Sequence, residues 1–326
     1  MQKRKLLLTE ADLFALRNDP SLISNYDVQM MLTARHGIVA PPGYVMVSCD
    51  FSAQEIRIAG WISKDKKILE VYTTTPTIPG PDGEYPNPNA DMHTITASQC
   101  CYPEIFVGKE EWEYVGIAKD SSLIDAKGDA RLMGKITNFG LLYAQTAEAL
   151  AKLNYLKVSQ TKGWIDKHKS VYQGFHTWAD QVGHLGTVRG WMMNPQGRMR
   201  WVAEDNSKGV GSSPARSAVN FQIQGTAADM AKLALFYVYN LFKNTDCKLI
   251  SLIHDEVLCA VPGSYELDLN KSKLKNGMFI PAFTYSDEVE DMAKKIRQCM
   301  IKAEDEIFKG EFPSDADYAI SPFWNH

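Results

Sequence analysis

No run of about eighteen uncharged apolar residues occurs in the chain, and the start MQKRKLLLTEADLFALRND sets three basic residues before nothing longer than LLL. That excludes a membrane span and a signal peptide of ordinary length and makes the cytoplasm the expected compartment. The six cysteines (Cys49, Cys100, Cys101, Cys247, Cys259, Cys299) contain no CxxC pair and include two adjacent residues awkward to bridge, so reduced thiols are expected. Repeats and low-complexity tracts are missing too. With 326 residues and 45% hydrophobic composition, the chain has the makings of a sizeable core and about two domains.

A positive charge excess is also lacking. The formal net charge of -4 argues by itself against a nucleic-acid binder, because phosphates are neutralised by Lys and Arg. The distribution modifies that reading. Residues 181–203 hold no Asp or Glu but contain Arg189, Arg198 and Arg200, and Lys152 to Lys169 carries five lysines against one Asp. The acids gather in SDEVED (286–291) and AEDEIF (303–308).

What is present reads as alternating strands and helices. GYVMVSCDF (43–51) is a short, apolar, β-branched run that delivers Asp50 at its end, and AQEIRIAGWIS (53–63) predicts a helix. TTTPTIPGPDGEYPNPN (73–89), with five prolines and two glycines, predicts a surface excursion. Long helices are predicted over 131–153 and 216–243. KLISLI (248–253) and VLCAV (257–261) flank His254, Asp255 and Glu256, which predicts a hairpin with acids at its tip.

Asp50 and Asp255 thus both stand where an apolar strand stops. Brought together, two such carboxylates could hold a pair of Mg²⁺ ions, which favour hard oxygen ligands and complete their shells with water and substrate phosphates. A helix N-cap for Asp50 and a turn role for Asp255 explain the same residues without metal. Arg131, Lys135, Phe139 and Tyr143 recur every four residues and form a drifting stripe on one helix face. Two cations and two aromatics suit a nucleoside triphosphate, while an amphipathic surface helix with snorkelling basic residues is the structural alternative.

Five ordered segments carry a family resemblance. CDFSAQEIRIAGWIS (49–63), RLMGKITNFGLLYA (131–144) and LIHDEVLCAVP (252–262) resemble motifs A, B and C of family A DNA polymerases, the bacterial polymerase I type. DMHTITA (91–97) and RSAVNFQIQGTAAD (216–229) are similar to the family's intervening segments, and the closing FWNH resembles its Trp-containing C-terminus. The likeness runs from about Arg35 to His326. It implies an α+β right-hand architecture: a palm of antiparallel sheet with helices over 1–60 and 216–326, and mainly helical fingers over 61–215. It also implies a DNA-directed DNA polymerase acting on primer-template DNA and deoxynucleoside triphosphates with two Mg²⁺ ions.

Carried over residue by residue, Asp50 and Asp255 would be the metal carboxylates, with the backbone of Phe51 an extra ligand and Glu256 a secondary carboxylate. Arg131 and Lys135, assisted by His93, would hold the incoming phosphates, and Lys135 could protonate the departing pyrophosphate. Phe139 would pack on sugar and base, Tyr143 would lie at the templating position, and Glu55 would block a 2′-hydroxyl. Arg216, Asn220 and Gln224 would track the duplex, with His254 near the primer end. Residue by residue, helix capping by Gln224 and a surface imidazole at His93 remain alternatives.

Three departures from the family stand out. Ala53-Gln54 replaces the usual Gln-Ile of motif A, Ala144 replaces the glycine after the motif B tyrosine, and the arginine expected before motif A has only Arg17 as a distant candidate. The family's thumb and exonuclease-like domain precede motif A, whereas 49 residues come before Asp50 here, which suggests a split, phage-type enzyme with a separate thumb, exonuclease or processivity subunit. A single-subunit RNA polymerase and an inactive DNA-binding subunit of the same fold are the rival readings.

Overall fold

The structure, a computed structural model, describes residues 8–25, 34–202, 213–275 and 278–325; the basic start MQKRKLL and the closing His326 lie outside them. Thr9 and Asp12 form a capping box that starts α1 (Glu10–Asn18), and the β-branched run after it forms β1 (Tyr44–Phe51). The chain then builds α2 (Gln54–Ser63), α3 (Lys66–Thr73), a hairpin of β2 (Thr77–Gly80) and β3 (Gly83–Pro86), α4 (Met92–Thr96) and α5 (Tyr114–Ala118). Next come α6 (Ala130–Leu142), α7 (Ala147–Asn154), α8 (Val158–Val171), α9 (Gln173–Arg189), the hairpin β4 (Trp191–Met193) and β5 (Met199–Trp201), and α10 (Ser213–Phe242). The last part comprises β6 (Lys248–Ile253), β7 (Glu256–Pro262), β8 (Tyr265–Leu267), β9 (Lys273–Lys275), β10 (Met278–Ile280), β11 (Phe283–Tyr285), α11 (Asp287–Phe308) and β12 (Ala316–Ser321).

Two compact units result. The first joins residues 1–52, 231–304 and 315–326; the second joins 53–230 and 305–314. The divisions fall at 52/53, within α10 at 230/231, within α11 at 304/305 and at 314/315; the sequence suggested bounds at 60/61 and 215/216.

The first unit is organised by an antiparallel sheet in the order β12-β1-β7-β6. β1 is central, with Val45, Met46, Val47 and Cys49 buried, so each contributes roughly 1.5–3 kcal/mol of apolar burial or somewhat less for the smaller side chains. All six cysteines are free, and burial pushes the Cys49 thiol up to about 12, which keeps it protonated. β12 was not expected from the sequence.

The second unit is mainly helical, around a core that includes Cys100, Cys101, Phe106, Met133 and Trp164. Asp65 ties two of its helices together: one carboxylate oxygen accepts from Ile68 N at 3.0 Å and caps α3, while the other accepts from Phe175 N at 2.9 Å near the start of α9. The helix expected over 131–153 is two helices. Ala144 adopts φ +51, which ends α6, and Thr146 accepts from Ala149 N at 3.3 Å, which opens α7. The proline-rich excursion contains the β2–β3 hairpin, anchored by Asn87 Nδ2 donating to Thr75 O at 2.9 Å. No helix among the described residues is long and apolar enough to cross a membrane.

Candidate active site

In the first unit, sheet register does what sequence distance obscures. Asp50, next to last in β1, lies opposite Glu256 on β7 and opposite Asp317 on β12. The β6–β7 connection is only His254 and Asp255, with His254 at φ +57, so Asp255 immediately precedes Asp50's cross-strand partner. The two aspartates therefore share one end of adjacent strands, both partly exposed. The Phe51 side chain is buried, which leaves its carbonyl as the group it could offer a metal. His254 is exposed at the tip.

Glu256 differs from its two acidic neighbours. It is buried, and its Oε1 accepts from Ser48 Oγ and from Trp324 Nε1, the latter at 2.6 Å. Arg35 stands 3.9 Å from Oε2 and lies over the Trp324 ring at 4.9 Å. This carboxylate is thus engaged within the protein and braces the sheet end against the C-terminal segment. Sequence reasoning missed Ser48, Arg35 and Trp324 in this role, as it missed Asp317, which accepts from Ser52 Oγ at 2.8 Å.

Among the described residues, no group of three or more His, Cys, Asp or Glu side chains is arranged to hold a metal ion. The sheet end instead offers two carboxylates and a carbonyl, all hard oxygens. That donor set fits Mg²⁺, which is usually bound by one or two carboxylates together with substrate phosphates and water.

In the second unit, α6 turns Ala130, Met133, Gly134, Thr137 and Asn138 inward and leaves Lys135 exposed, with Arg131, Phe139 and Tyr143 half-buried. Lys135 Nζ lies 5.9 Å from the Phe139 ring, and Phe139 and Tyr143 stack at 6.5 Å. The predicted stripe is therefore linked from Lys135 to Tyr143. Arg131 is held by Asp91: Nε donates to Oδ2 at 2.6 Å and a terminal nitrogen to Oδ1 at 3.3 Å. Burial works against the Asp91 charge, but hydrogen bonds from Arg131 and Thr94 outweigh it and hold the carboxyl below its usual range.

Asp91 also caps α4, accepting from His93 N at 3.0 Å. His93 lies 5.9 Å from Phe139, and burial, reinforced by Arg131 and Lys135 against the opposing pull of Asp91, lowers it to about 4. It is therefore a neutral imidazole at physiological pH and not a third cation. α4 approaches α6 closely at Gly134, where a Cβ would stand 2.2 Å from the His93 carbonyl oxygen.

Tyr143 OH donates to Glu55 Oε2 at 2.5 Å, joining the ends of α6 and α2. Ala53 starts α2 at φ +53, and Gln54 is buried, its Nε2 donating to Ala227 O at 3.4 Å and to Met230 Sδ at 3.3 Å. The altered motif A pair therefore places its amide against α10. On α10, Arg216, Asn220 and Gln224 recur every four residues, with Gln224 exposed and Asn220 Oδ1 shielded without a protein partner. Arg17 donates to Leu269 O and Ser272 O, both at 2.9 Å, which ties α1 to the segment between β8 and β9 within the first unit.

The profile of DNA polymerase family A matches residues 18–284. DNA polymerase I of Pseudomonas aeruginosa is 29% identical over 231 residues, covering 70% of this chain and 22% of that protein. The thermostable DNA polymerase I of Thermus filiformis is 26% identical over 249 residues, 75% of this chain and 26% of that protein. The chain thus spans about a quarter of the length of these curated relatives. The POL domain of Pol1 from M. smegmatis, solved in complex with DNA primer-template and dNTP, matches 91% of this chain and 44% of its own with a TM-score of 0.65. Identity in that comparison is 19%, so the likeness concerns the fold.

Proposed function

The chain belongs to DNA polymerase family A, and from that premise we propose that it is a DNA-directed DNA polymerase extending a primer 3′-end by two-metal nucleotidyl transfer. The register that sets Asp50 opposite Glu256, and so beside Asp255, carries this reading, because it gathers two carboxylates distant in sequence at one sheet end. Asp50, Asp255 and the Phe51 carbonyl are the residues that would hold Mg²⁺. Ions there would activate the attacking oxygen and stabilise the leaving one.

The remaining residues position and select. Arg131 exchanges the Asp91 carboxylate for phosphate oxygens, Lys135 adds a mobile charge and can give a proton to departing pyrophosphate, and His93 donates a neutral hydrogen bond. Phe139 packs on the sugar and base, Tyr143 stands at the templating position, and the Glu55 carboxylate it anchors occupies the space of a 2′-hydroxyl. Arg216, Asn220 and Gln224 track the primer-template duplex, with His254 near the primer end. In this scheme the sheet unit is the palm and the helical unit the fingers.

The Tyr143–Glu55 bond favours this reading over a single-subunit RNA polymerase, which must admit a 2′-hydroxyl at that place. The test is Mg²⁺-dependent primer extension by the chain and by Asp50→Ala and Asp255→Ala, alongside DNA affinity and the urea unfolding midpoint. The unsubstituted chain should extend the primer, and each variant should lose extension while keeping its midpoint and affinity near the parent's. Robust extension by either variant would sink the two-metal assignment, and inactivity of the parent would favour a DNA-binding subunit.

A further inference from the structure

Behind the cation stripe, on the buried side of α6, lies a chain of hydrogen bonds with no place in the scheme above. Asn138 is 1% exposed and sits at its centre. Its Nδ2 lies 3.4 Å from Met92 O and 3.0 Å from His93 Nδ1, and its Oδ1 lies 2.8 Å from Thr96 Oγ1 and 3.0 Å from His168 Nε2. His168 Nδ1 in turn lies 2.8 Å from His176 Nε2.

One fixed acceptor sets the polarity of the chain, and the donors that meet Asn138 Oδ1 hold the amide in that orientation. The Met92 carbonyl can only accept, so the amide of Asn138 must turn its NH₂ toward it. That NH₂ then donates to His93 Nδ1 as well, which places the His93 proton on Nε2, at the ring edge away from Asn138. Asn138 Oδ1 is left to accept from Thr96 and from His168 Nε2–H. A neutral His168, with its proton on Nε2, then accepts at Nδ1 from His176 Nε2–H. With all three imidazoles neutral every donor meets an acceptor, and a proton on His93 Nδ1 would face the Asn138 NH₂; burial lowers His168 well below its usual value and His176 to about 4, consistent with neutral rings.

We propose that His168 and His176, acting through Asn138, are positioning residues that lock His93 in the Nε2–H tautomer and so present a preset neutral donor beside Arg131 and Lys135 for a nucleotide phosphate oxygen. The phosphate end of this proposal rests on the function proposed above; the tautomer does not. An unlocked His93 divides its population between two tautomers, of which only one can donate from Nε2.

The test uses the full ¹⁵N-labelled chain. Long-range ¹H–¹⁵N correlation spectra report which ring nitrogen of His93 carries the proton, and titration with a deoxynucleoside triphosphate in the absence of DNA reports its Kd. The parent should show a single Nε2–H tautomer. His168→Phe, which keeps an aromatic ring but loses both hydrogen bonds, should give a mixture and weaken nucleotide binding by roughly threefold to tenfold, the size of one neutral hydrogen bond. His168→Gln, whose Nε2–H can still donate to Asn138, should restore the single tautomer and most of the affinity, which separates positioning from a general loss of packing.

An Nδ1–H tautomer or an imidazolium at neutral pH in the parent overturns the proposal. So does a His93 tautomer indifferent to His168→Phe. A tautomer that shifts while the nucleotide Kd stays constant overturns the phosphate-facing role. Absence of nucleotide addition with the single tautomer and the Kd effect intact counts against the proposed polymerase reaction and supports the relay.

Discussion

At the scale of single residues, the contact that would most constrain substrate choice in the proposed reaction is the 2.5 Å bond from Tyr143 OH to Glu55 Oε2. A carboxylate held by a phenol is a fixed obstacle, whereas an unanchored glutamate could swing aside. Replacing Glu55 by Ala opens the space, and the ratio of deoxyribonucleotide to ribonucleotide incorporation efficiency should fall by at least about tenfold, within the range that a well-placed group adds to discrimination. Tyr143→Phe keeps the ring but drops the donor, so its ratio should lie between those of the parent and Glu55→Ala. An unchanged ratio in Glu55→Ala would assign the gate to another residue. Arg131 illustrates the same principle from the binding side. Its pairing with Asp91 holds the cation in place, so under the proposed function an incoming phosphate would compete with a carboxylate and not with water alone.

At the scale of elements, two backbone positions govern how α6 presents its stripe. A Cβ at Gly134 would stand 2.2 Å from the His93 carbonyl oxygen and 3.0 Å from Ala97 N, both backbone atoms that move only with α4. Gly134→Ala should therefore cost about 1–3 kcal/mol of stability in urea denaturation, the usual penalty of overpacking, and it should also displace His93. Ala144, at φ +51, has the opposite remedy. Ala144→Gly removes left-handed strain worth about 1 kcal/mol and should raise the urea midpoint slightly, although glycine's greater freedom in the unfolded chain offsets part of the gain. A lower midpoint would show that the left-handed turn is unstrained. This turn also marks where the sequence was hard to read: helix-favouring residues run through 144–153 without a glycine, and the one stop signal was Thr146 as the N-cap of α7. β1 and the β6–β7 hairpin were legible because apolar runs end at turn-forming residues. β12 was not, because ADYAIS carries an aspartate, alternates poorly and pairs only with β1 at the sheet edge. The placing of Asp50 and Asp255 at strand ends and of the stripe residues along α6 was legible too. Their supports Ser48, Trp324, Asp91, Asn138 and His168 were not, since each acts through a contact between elements distant in sequence.

At the scale of the molecule, the charge state of the buried histidines sets the response to acid. His93, His168 and His176 all lie in the second unit, and burial holds each below the usual 6.5, with His93 and His176 at about 4 and His168 well below its usual value. His93 faces Asp91, Arg131 and Lys135, and His176 faces Lys169, Asp180 and Asp65, so the charged neighbours of these two are mixed in sign and burial dominates. A depressed histidine is neutral in the fold while the unfolded chain takes up its proton below 6.5. Its stabilising contribution is therefore complete above 6.5 and is lost progressively as the pH falls toward about 4, where the folded form of His93 and His176 begins to protonate as well. Each such group contributes a slope of at most about 1.4 kcal/mol per pH unit in that window. Asp91 acts lower, because its depressed pKa delays loss of the Arg131 pair until the pH drops below 3.8. Of the seven tryptophans all but Trp324 lie in the second unit, so their fluorescence follows it during urea unfolding. The midpoint should fall steadily from pH 6.5 toward 5, and a His168→Gln, His176→Leu double variant, which retains only His93 of the three, should show a clearly shallower slope. A flat midpoint in the parent over that range would mean that these imidazoles gain no neutrality from folding, and the polarity of the chain from His176 to His93 would have to be drawn anew.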